Sequence, residues 1–224
     1  MVPRASPARS LVLDRVVERV LGSGAGRVRV GVDGRTASGK SSFARELADR
    51  IARTGGREVL LASLDDFNRP WRDRRLYDRE SGEGYYRNVL DHQAVRRLLL
   101  DPVAPGGSGI CALCSLDPRT QSDHSAVTVT AAPDAVVVVE GVFAFRPELD
   151  GCWDLRVWLE IPAELAVHRG VGRDAVRVGD EVERLHRDRY LPGEELYLAE
   201  VDPVGRADVV IDNTSFEAPV VRSP

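Results

Sequence analysis

An α/β fold built on a parallel sheet is what this sequence predicts, on three observations. Short apolar strand patterns alternate with amphipathic helix patterns along most of its 224 residues. Four consecutive valines at 136–139 are apolar on both faces, as a strand inside a parallel sheet must be. A glycine-rich octet, Gly34-Arg35-Thr36-Ala37-Ser38-Gly39-Lys40-Ser41, stands between a strand pattern and a helix pattern.

The elements follow in order. Residues 10–21 are expected to form a helix capped by Ser10, with Leu13, Val16, Val17, Val20 and Leu21 on one face. Alternating Val28, Val30 and Val32 mark a first strand over 27–32. Phe43, Leu47 and Ile51 are spaced four apart and give a helix over 40–53. After the Gly55-Gly56 turn comes a second strand, 58–63. Residues 92–100 form a helix; 136–139, 155–161 and 209–212 are the remaining strands. The stretch 101–130 opens on Pro105-Gly106-Gly107-Ser108-Gly109, is the least regular, and is expected to be a hairpin-like insertion. One domain over 1–224 is expected, with no internal repeat.

The octet fits G-x-x-x-x-G-K-[ST], the phosphate-binding loop. Lys40 is the only lysine in the chain; the other thirty basic residues are arginines. A lysine is kept where a compact ammonium must reach between the β- and γ-phosphates, which a planar guanidinium does badly. Strand, glycine loop and helix direct backbone N–H groups and a helix N-terminus at the phosphates. Gly34, Ala37, Ser38, Gly39, Lys40, Ser41 and Ser42 are therefore the expected ATP-binding residues, with the Ser41 hydroxyl on Mg²⁺. A chance glycine-rich turn is the competing reading, and the flanking strand and helix weigh against it. The fold class sharpens to a three-layer P-loop NTPase fold.

Bulk properties narrow the remainder. A net charge of −4 and a pI near 5.7 argue against a general nucleic-acid binder. No apolar run approaches the ~20 residues of a membrane span, and the N-terminus lacks the apolar stretch of a secretory signal. A cytoplasmic enzyme is expected, with a homo-oligomer left open. Three cysteines do not make a disulfide framework, and Cys111-x-x-Cys114 has no second pair at zinc spacing.

In a parallel sheet the chemistry gathers at the carboxyl ends of the strands. There stand Asp65 and Asp66 after the second strand, Glu140 after the valines, and a helix carrying His168, Arg169, Arg173 and Asp174 after the fourth. Phosphoryl transfer needs such a set: a carboxylate near Mg²⁺, a base for the acceptor, and cations over the moving phosphoryl. Asp65 is assigned as the base, Asp66 as a helix cap or turn residue. Glu140 is assigned with Ser41 to the metal, because a lone carboxylate ending an apolar strand is costly to bury. Arg169 and Arg173 share a helix face and are assigned to an Arg-bearing lid over about 169–190. A solvated basic face is the alternative for them.

Taken together these residues resemble the uridine kinase and phosphoribulokinase group of P-loop kinases, over roughly residues 27–213. The group's Asp-x-Phe-Tyr after strand two reads Asp65-Asp66-Phe67-Asn68 here, and the resemblance implies that Asp65 is the catalytic base. Its Glu-Gly-Ile-x-Ala-Phe reads Glu140-Gly141-Val142-Phe143-Ala144-Phe145. Its lid motif Arg-Arg-x-x-Arg-Asp reads Arg169-Gly170-Val171-Gly172-Arg173-Asp174, without the second arginine. The nucleoside-binding hairpin has lost its aromatics and histidine in 116–122, while Tyr85, Tyr86 and Arg87 stand near another acceptor-side motif. The resemblance implies an ATP- and Mg²⁺-dependent transfer to a small hydroxylated acceptor. A nucleoside, a sugar and a pantothenate-like alcohol all remain open. A GTPase is excluded, because its Asn-Lys-x-Asp motif needs a second lysine; a motor or transport ATPase is disfavoured by Glu140 where Asp is usual. The rival reading is a nucleotide-binding regulatory protein without transfer activity.

Overall fold

The computed structural model describes residues 6–74 and 77–222. Helix α1 (Pro7–Gly22) leads to strand β1 (Val28–Gly34), helix α2 (Lys40–Gly55) and strand β2 (Val59–Ser63). Helix α3 (Gly82–Asn88) follows, then α4 (His92–Ala94), which continues as a π-helical stretch, Val95–Leu100. A short antiparallel pair, β3 (Ile110–Cys111) and β4 (Val129–Thr130), precedes β5 (Val136–Glu140) and β6 (Leu155–Glu160). Helix α5 (Ala163–Val178), α6 (Val182–Arg184), α7 (Leu191–Val201) and α8 (Pro203–Arg206) lead to β7 (Val209–Asp212) and β8 (Val220–Arg222).

The main sheet runs β2-β5-β1-β6-β7-β8, parallel except for β8. Its period-two alternation sets the layers. Val136 and Val138, with Val28, Val30 and Val32, face α1 and α2 through Val16, Phe43, Leu47 and Ile51. Val137 and Val139, with Trp158 and Val210, face the other side, where Leu99, Phe143 and Tyr197 pack. Hence all five residues of β5 are buried, as the valine run requires. Glycine at 31 matters within β1: a Cβ there would sit 3.0 Å from both Phe145 and Trp153, so the strand lets those rings lie directly on it.

The expected strands and helices are present with small shifts at their ends, and one cap moves. Ser6, not Ser10, caps α1: its hydroxyl accepts from the Arg9 amide at 3.1 Å, and Pro7 supplies a preset first turn. Ser10 lies inside the helix. The sequence reading also missed α3, α7 and the antiparallel β8, because none carries a long period. Helix α3 is seven residues with three glycine or asparagine positions, and forms because Ser81 caps it and α7 packs on it. Gly82 and Gly193 meet there backbone to backbone, with no room for a Cβ on either.

Arg9 ties α1 to the rest. It is 1% exposed, pairs with Glu46 of α2 at 2.6 Å, donates to the Asn213 side chain at 3.2 Å, and lies 3.9 Å from the Phe216 ring centre. Removing one partner of such a buried pair strands the others. Arg9→Ala is expected to lower unfolding free energy by about 3 kcal/mol in chemical denaturation, whereas Leu11→Ala, on the exposed face, changes it by about 0.5 kcal/mol or less. Equal effects would show that Arg9 does not hold α1 in place.

Candidate active site

The phosphate loop begins where β1 ends, and two glycines shape it. Gly34 has φ 152° and lies so close to β6 that a Cβ would be 2.5 Å from the Leu159 carbonyl oxygen. Gly39 has φ 96°, and a Cβ there would be 2.8 Å from the Asn213 amide nitrogen. Ala37, at φ 59°, holds a left-handed conformation with a side chain, a strained position that its neighbours must impose. The loop is clamped on two sides. Asn213 at the end of β7 donates to the Ser38 carbonyl at 2.6 Å, and Glu194 of α7 accepts from the Thr36 amide at 2.6 Å. Glu194 is 4% exposed and also meets Arg35 at 3.5 Å.

Lys40 opens α2, whose first-turn N–H groups have no partner within the helix. Its ammonium donates to the carbonyls of Gly34 at 2.9 Å and Arg35 at 2.8 Å, folding back over the loop. Glu140 ends β5 beside it, 9% exposed. Burial pushes its carboxyl up; the Lys40 charge and hydrogen bonds from Ser63 and Ser41 work against that. Glu140 forms no ion pair among the described residues, and its carboxylate stands next to the Ser41 hydroxyl. A buried carboxylate beside a hydroxyl at the foot of the phosphate loop is the donor chemistry a hard dication takes.

Beneath the loop lies Asp33, which the sequence reading passed over. It is fully buried; its oxygens accept from the Gly34 amide at 2.7 Å, the Tyr197 hydroxyl at 2.6 Å and the Phe145 amide at 3.3 Å. Desolvation raises its pKa to about 6 against these donors and the nearby Lys40. The available signal was its place: an acid inside an otherwise apolar strand, one residue before Gly34.

Most of the remaining assigned residues, but neither Tyr86 nor Arg87, converge on one cleft of about 910 Å³. Asp65 is exposed at its wall, in the 3-10 turn Leu64–Phe67. Ser63 caps that turn, its hydroxyl accepting from the Asp65 amide at 3.4 Å, so Asp66 is not the cap. Instead the Asp66 carbonyl accepts from the amides of Ser115 at 2.9 Å and Leu116 at 3.1 Å, seating the loop between β3 and β4. That loop brings Pro118 and Arg119 to the cleft. Lys40, Ser41, Ser42, Glu140, Arg169, Arg173 and Tyr85 line the same cleft. Tyr86 packs against Phe143 and Tyr197 in the core, and Arg87 pairs with Glu83 and Glu200 away from the cleft wall. Cys111 and Cys114 are free thiols, raised by burial.

On α5, Arg169 donates to the carbonyls of Asn213 at 3.2 Å and Thr214 at 2.7 Å, while Arg173 forks onto Asp174 at 3.0 and 2.8 Å. Asp174 also meets His186 at 3.0 Å. Burial would raise Asp174, yet Arg173 and His186 hold it at about 2. The same histidine explains Gly170: any side chain there would run into the imidazole ring. The space a side chain at 170 would take is thus filled by the His186 ring.

The chain has relatives among known proteins. No protein-family profile matches it. A uridine kinase of Halobacterium salinarum is 27% identical over 188 residues, 81% of this chain and 78% of that protein. A structure described as a possible uridine kinase from Bacillus stearothermophilus is 26% identical, with a TM-score of 0.67 over 88% of this chain and 96% of that one. A D-glycerate 3-kinase from Cryptococcus neoformans, 15% identical with a TM-score of 0.58 over 83% of this chain and 88% of that one, shares the fold. The chain is therefore uridine kinase-like in sequence and has the P-loop kinase fold. Sequence and fold together support a small-molecule kinase of the P-loop family. Among the described residues no helix is long and apolar enough to cross a membrane.

Asp33 gives this site a pH signature. Its folded pKa lies above its unfolded value of 3.8, so the folded state holds the proton more tightly between pH 4 and 6. Wild-type stability should fall relative to Asp33→Asn as pH rises through that window, by on the order of 3 kcal/mol. Urea unfolding of both proteins at pH 4 and 7 measures it, and parallel profiles would contradict the assignment.

Proposed function

We propose that the chain transfers the γ-phosphoryl group of ATP to a hydroxyl of a nucleoside or similar small alcohol. One observation carries the reading: a phosphate loop with Lys40 and a Glu140–Ser41 pair shares a single cleft with the exposed carboxylate of Asp65. Kinases of this group use ATP, typically with Mg²⁺. The loop suits a polyphosphate through its backbone N–H groups at the start of α2, while Gly34 and Gly39 take positive φ and pack too closely on Leu159 and Asn213 for any side chain. Ser41 and Glu140 would hold Mg²⁺, which when bound offsets charge on the phosphates.

The protein's own groups then divide the work. Lys40 leaves the carbonyls of Gly34 and Arg35 for the β- and γ-phosphates. Asp65 orients the acceptor hydroxyl and takes its proton as the acceptor oxygen bonds to the γ-phosphorus. The bond from that phosphorus to the bridging oxygen breaks, and ADP leaves. Arg169 and Arg173, on the same helix face, act as the lid over about 169–190 and stabilise charge in the transition state. Tyr85 is the aromatic wall of the acceptor side.

Lys40→Ala and Asp65→Asn should each lower turnover by about two orders of magnitude or more. Asp65→Asn should keep ATP affinity close to that of the wild type, because the residue lies outside the phosphate loop. Acceptor-dependent ADP release, with uridine, cytidine, ribose, pantothenate and glycerate as acceptors, measures the first; calorimetric titration with ATP measures the second. Wild-type turnover in Asp65→Asn would remove Asp65 as the base. Slow ATP hydrolysis unaffected by every acceptor would favour a nucleotide-binding regulator instead.

A further inference from the structure

Seven cationic side chains line the cleft against three carboxylates, in a chain whose net charge is −4. Most of that positive charge already has a partner. Lys40 and Arg169 lie on carbonyl oxygens, and Arg173 and Arg177 lie on Asp174. Arg74 and Arg189 differ. Neither forms an ion pair among the described residues, and each is half-buried. Arg74 donates Nε to the Arg69 carbonyl at 2.8 Å and leaves the rest of its guanidinium without a carboxylate. The Arg189 Nε is buried with no hydrogen-bond partner among the described residues.

The two lie close enough to repel one another. Burial, with repulsion from Arg189 and Arg79, pulls Arg74 down to about 10. Arg189 is held by aromatic faces, 5.5 Å from the ring centre of Tyr85 and 5.7 Å from that of Tyr190. Two half-buried guanidinium groups lining one cleft without an acid partner among the described residues oppose folding, unless an anion completes the arrangement. Guanidinium forks match the planar oxygens of a carboxylate or phosphate.

We propose that Arg74 and Arg189 form an oxyanion-binding subsite for the acceptor, so that the substrate is a hydroxylated compound bearing a carboxylate or phosphate. The subsite holds the anionic end while a hydroxyl of the same molecule faces Asp65. This inference rests on the kinase reading above. It also accounts for 116–122, where the stacking side chains a neutral nucleoside would use are absent and Arg119 stands exposed at the rim.

The test uses matched acceptors: ribose with ribose 5-phosphate, and glycerol with glycerate. ADP release is followed for wild type, Arg74→Gln and Arg189→Gln, with thermal unfolding as the check on folding. Wild type should favour the anionic member of at least one pair by about tenfold or more in kcat/KM, the worth of a charge-assisted hydrogen bond. The pair that responds separates phosphate from carboxylate. In Arg189→Gln that ratio should fall toward one, mainly through KM. Equal use of neutral and anionic members, or a ratio untouched by both substitutions, overturns the subsite and leaves the kinase intact. A rise in the KM for ATP alone in Arg189→Gln would assign the arginine to the nucleotide and overturn it as well. If no acceptor is turned over, the Mg·ADP-loaded protein is titrated with the same four compounds. Tighter binding of an anionic member, weakened in Arg189→Gln, sustains the subsite while the kinase reading fails. Indifference to charge sinks the subsite too.

Discussion

The carboxylate of Asp33 is buried beneath the phosphate loop without an ion pair among the described residues, and its two oxygens are shared among three parts of the chain. One oxygen fixes the amide of Gly34, where β1 turns into the loop. The other takes the Tyr197 hydroxyl from α7 and the Phe145 amide from the turn after β5. That turn holds Phe143 at φ 67°, a costly conformation for an aromatic residue. A buried acid with several donors around it is directional in a way that apolar packing is not. It sets where the loop, the β5 turn and α7 stand relative to one another.

The loop itself is held before any nucleotide arrives. Glu194 and Asn213 grip its backbone from opposite sides, and Arg9 and Glu46 brace Asn213 from behind. Hydrogen-bond donors fixed in place need little rearrangement when a polyphosphate binds, and this is where preorganised sites gain over solvent. The same contacts link the loop to the start of α7, two residues after Arg189 of the cleft. Arg35 extends the link, because it pairs with both Glu194 and Glu195.

Charge is distributed unevenly in this molecule. The chain is acidic as a whole, but its cleft is cationic. Much of the acid lies in surface pairs such as Glu183–Arg187 and Glu83–Arg87, which contribute little to stability. In the cleft, by contrast, Asp174 neutralises two arginines and orients His186, and this contact needs glycine at 170. An arginine missing from a linear motif thus corresponds to a structural contact, in which the His186 ring fills the space beside Gly170.

Sequence alone determined the elements with strong period and the residues fixed by local backbone demands. The valine run, the Phe43–Leu47–Ile51 stripe and the Gly34–Ser41 octet needed only neighbours a few positions away to be legible, as did Asp65 and Glu140 at strand ends. Local signals misled over the cap of α1, where Ser6-Pro7 outcompetes Ser10, and over Tyr86 and Arg87, which pack away from the cleft. What tertiary structure decided is the set of partners that lie far apart along the chain. Asp33 with Tyr197, Ser38 with Asn213, Thr36 with Glu194 and Arg74 with Arg189 are each separated by more than a hundred residues. No periodicity reports such pairs. Each depends on which side chains the sheet order β2-β5-β1-β6-β7-β8 carries to one edge, and on how far burial strips water from them there.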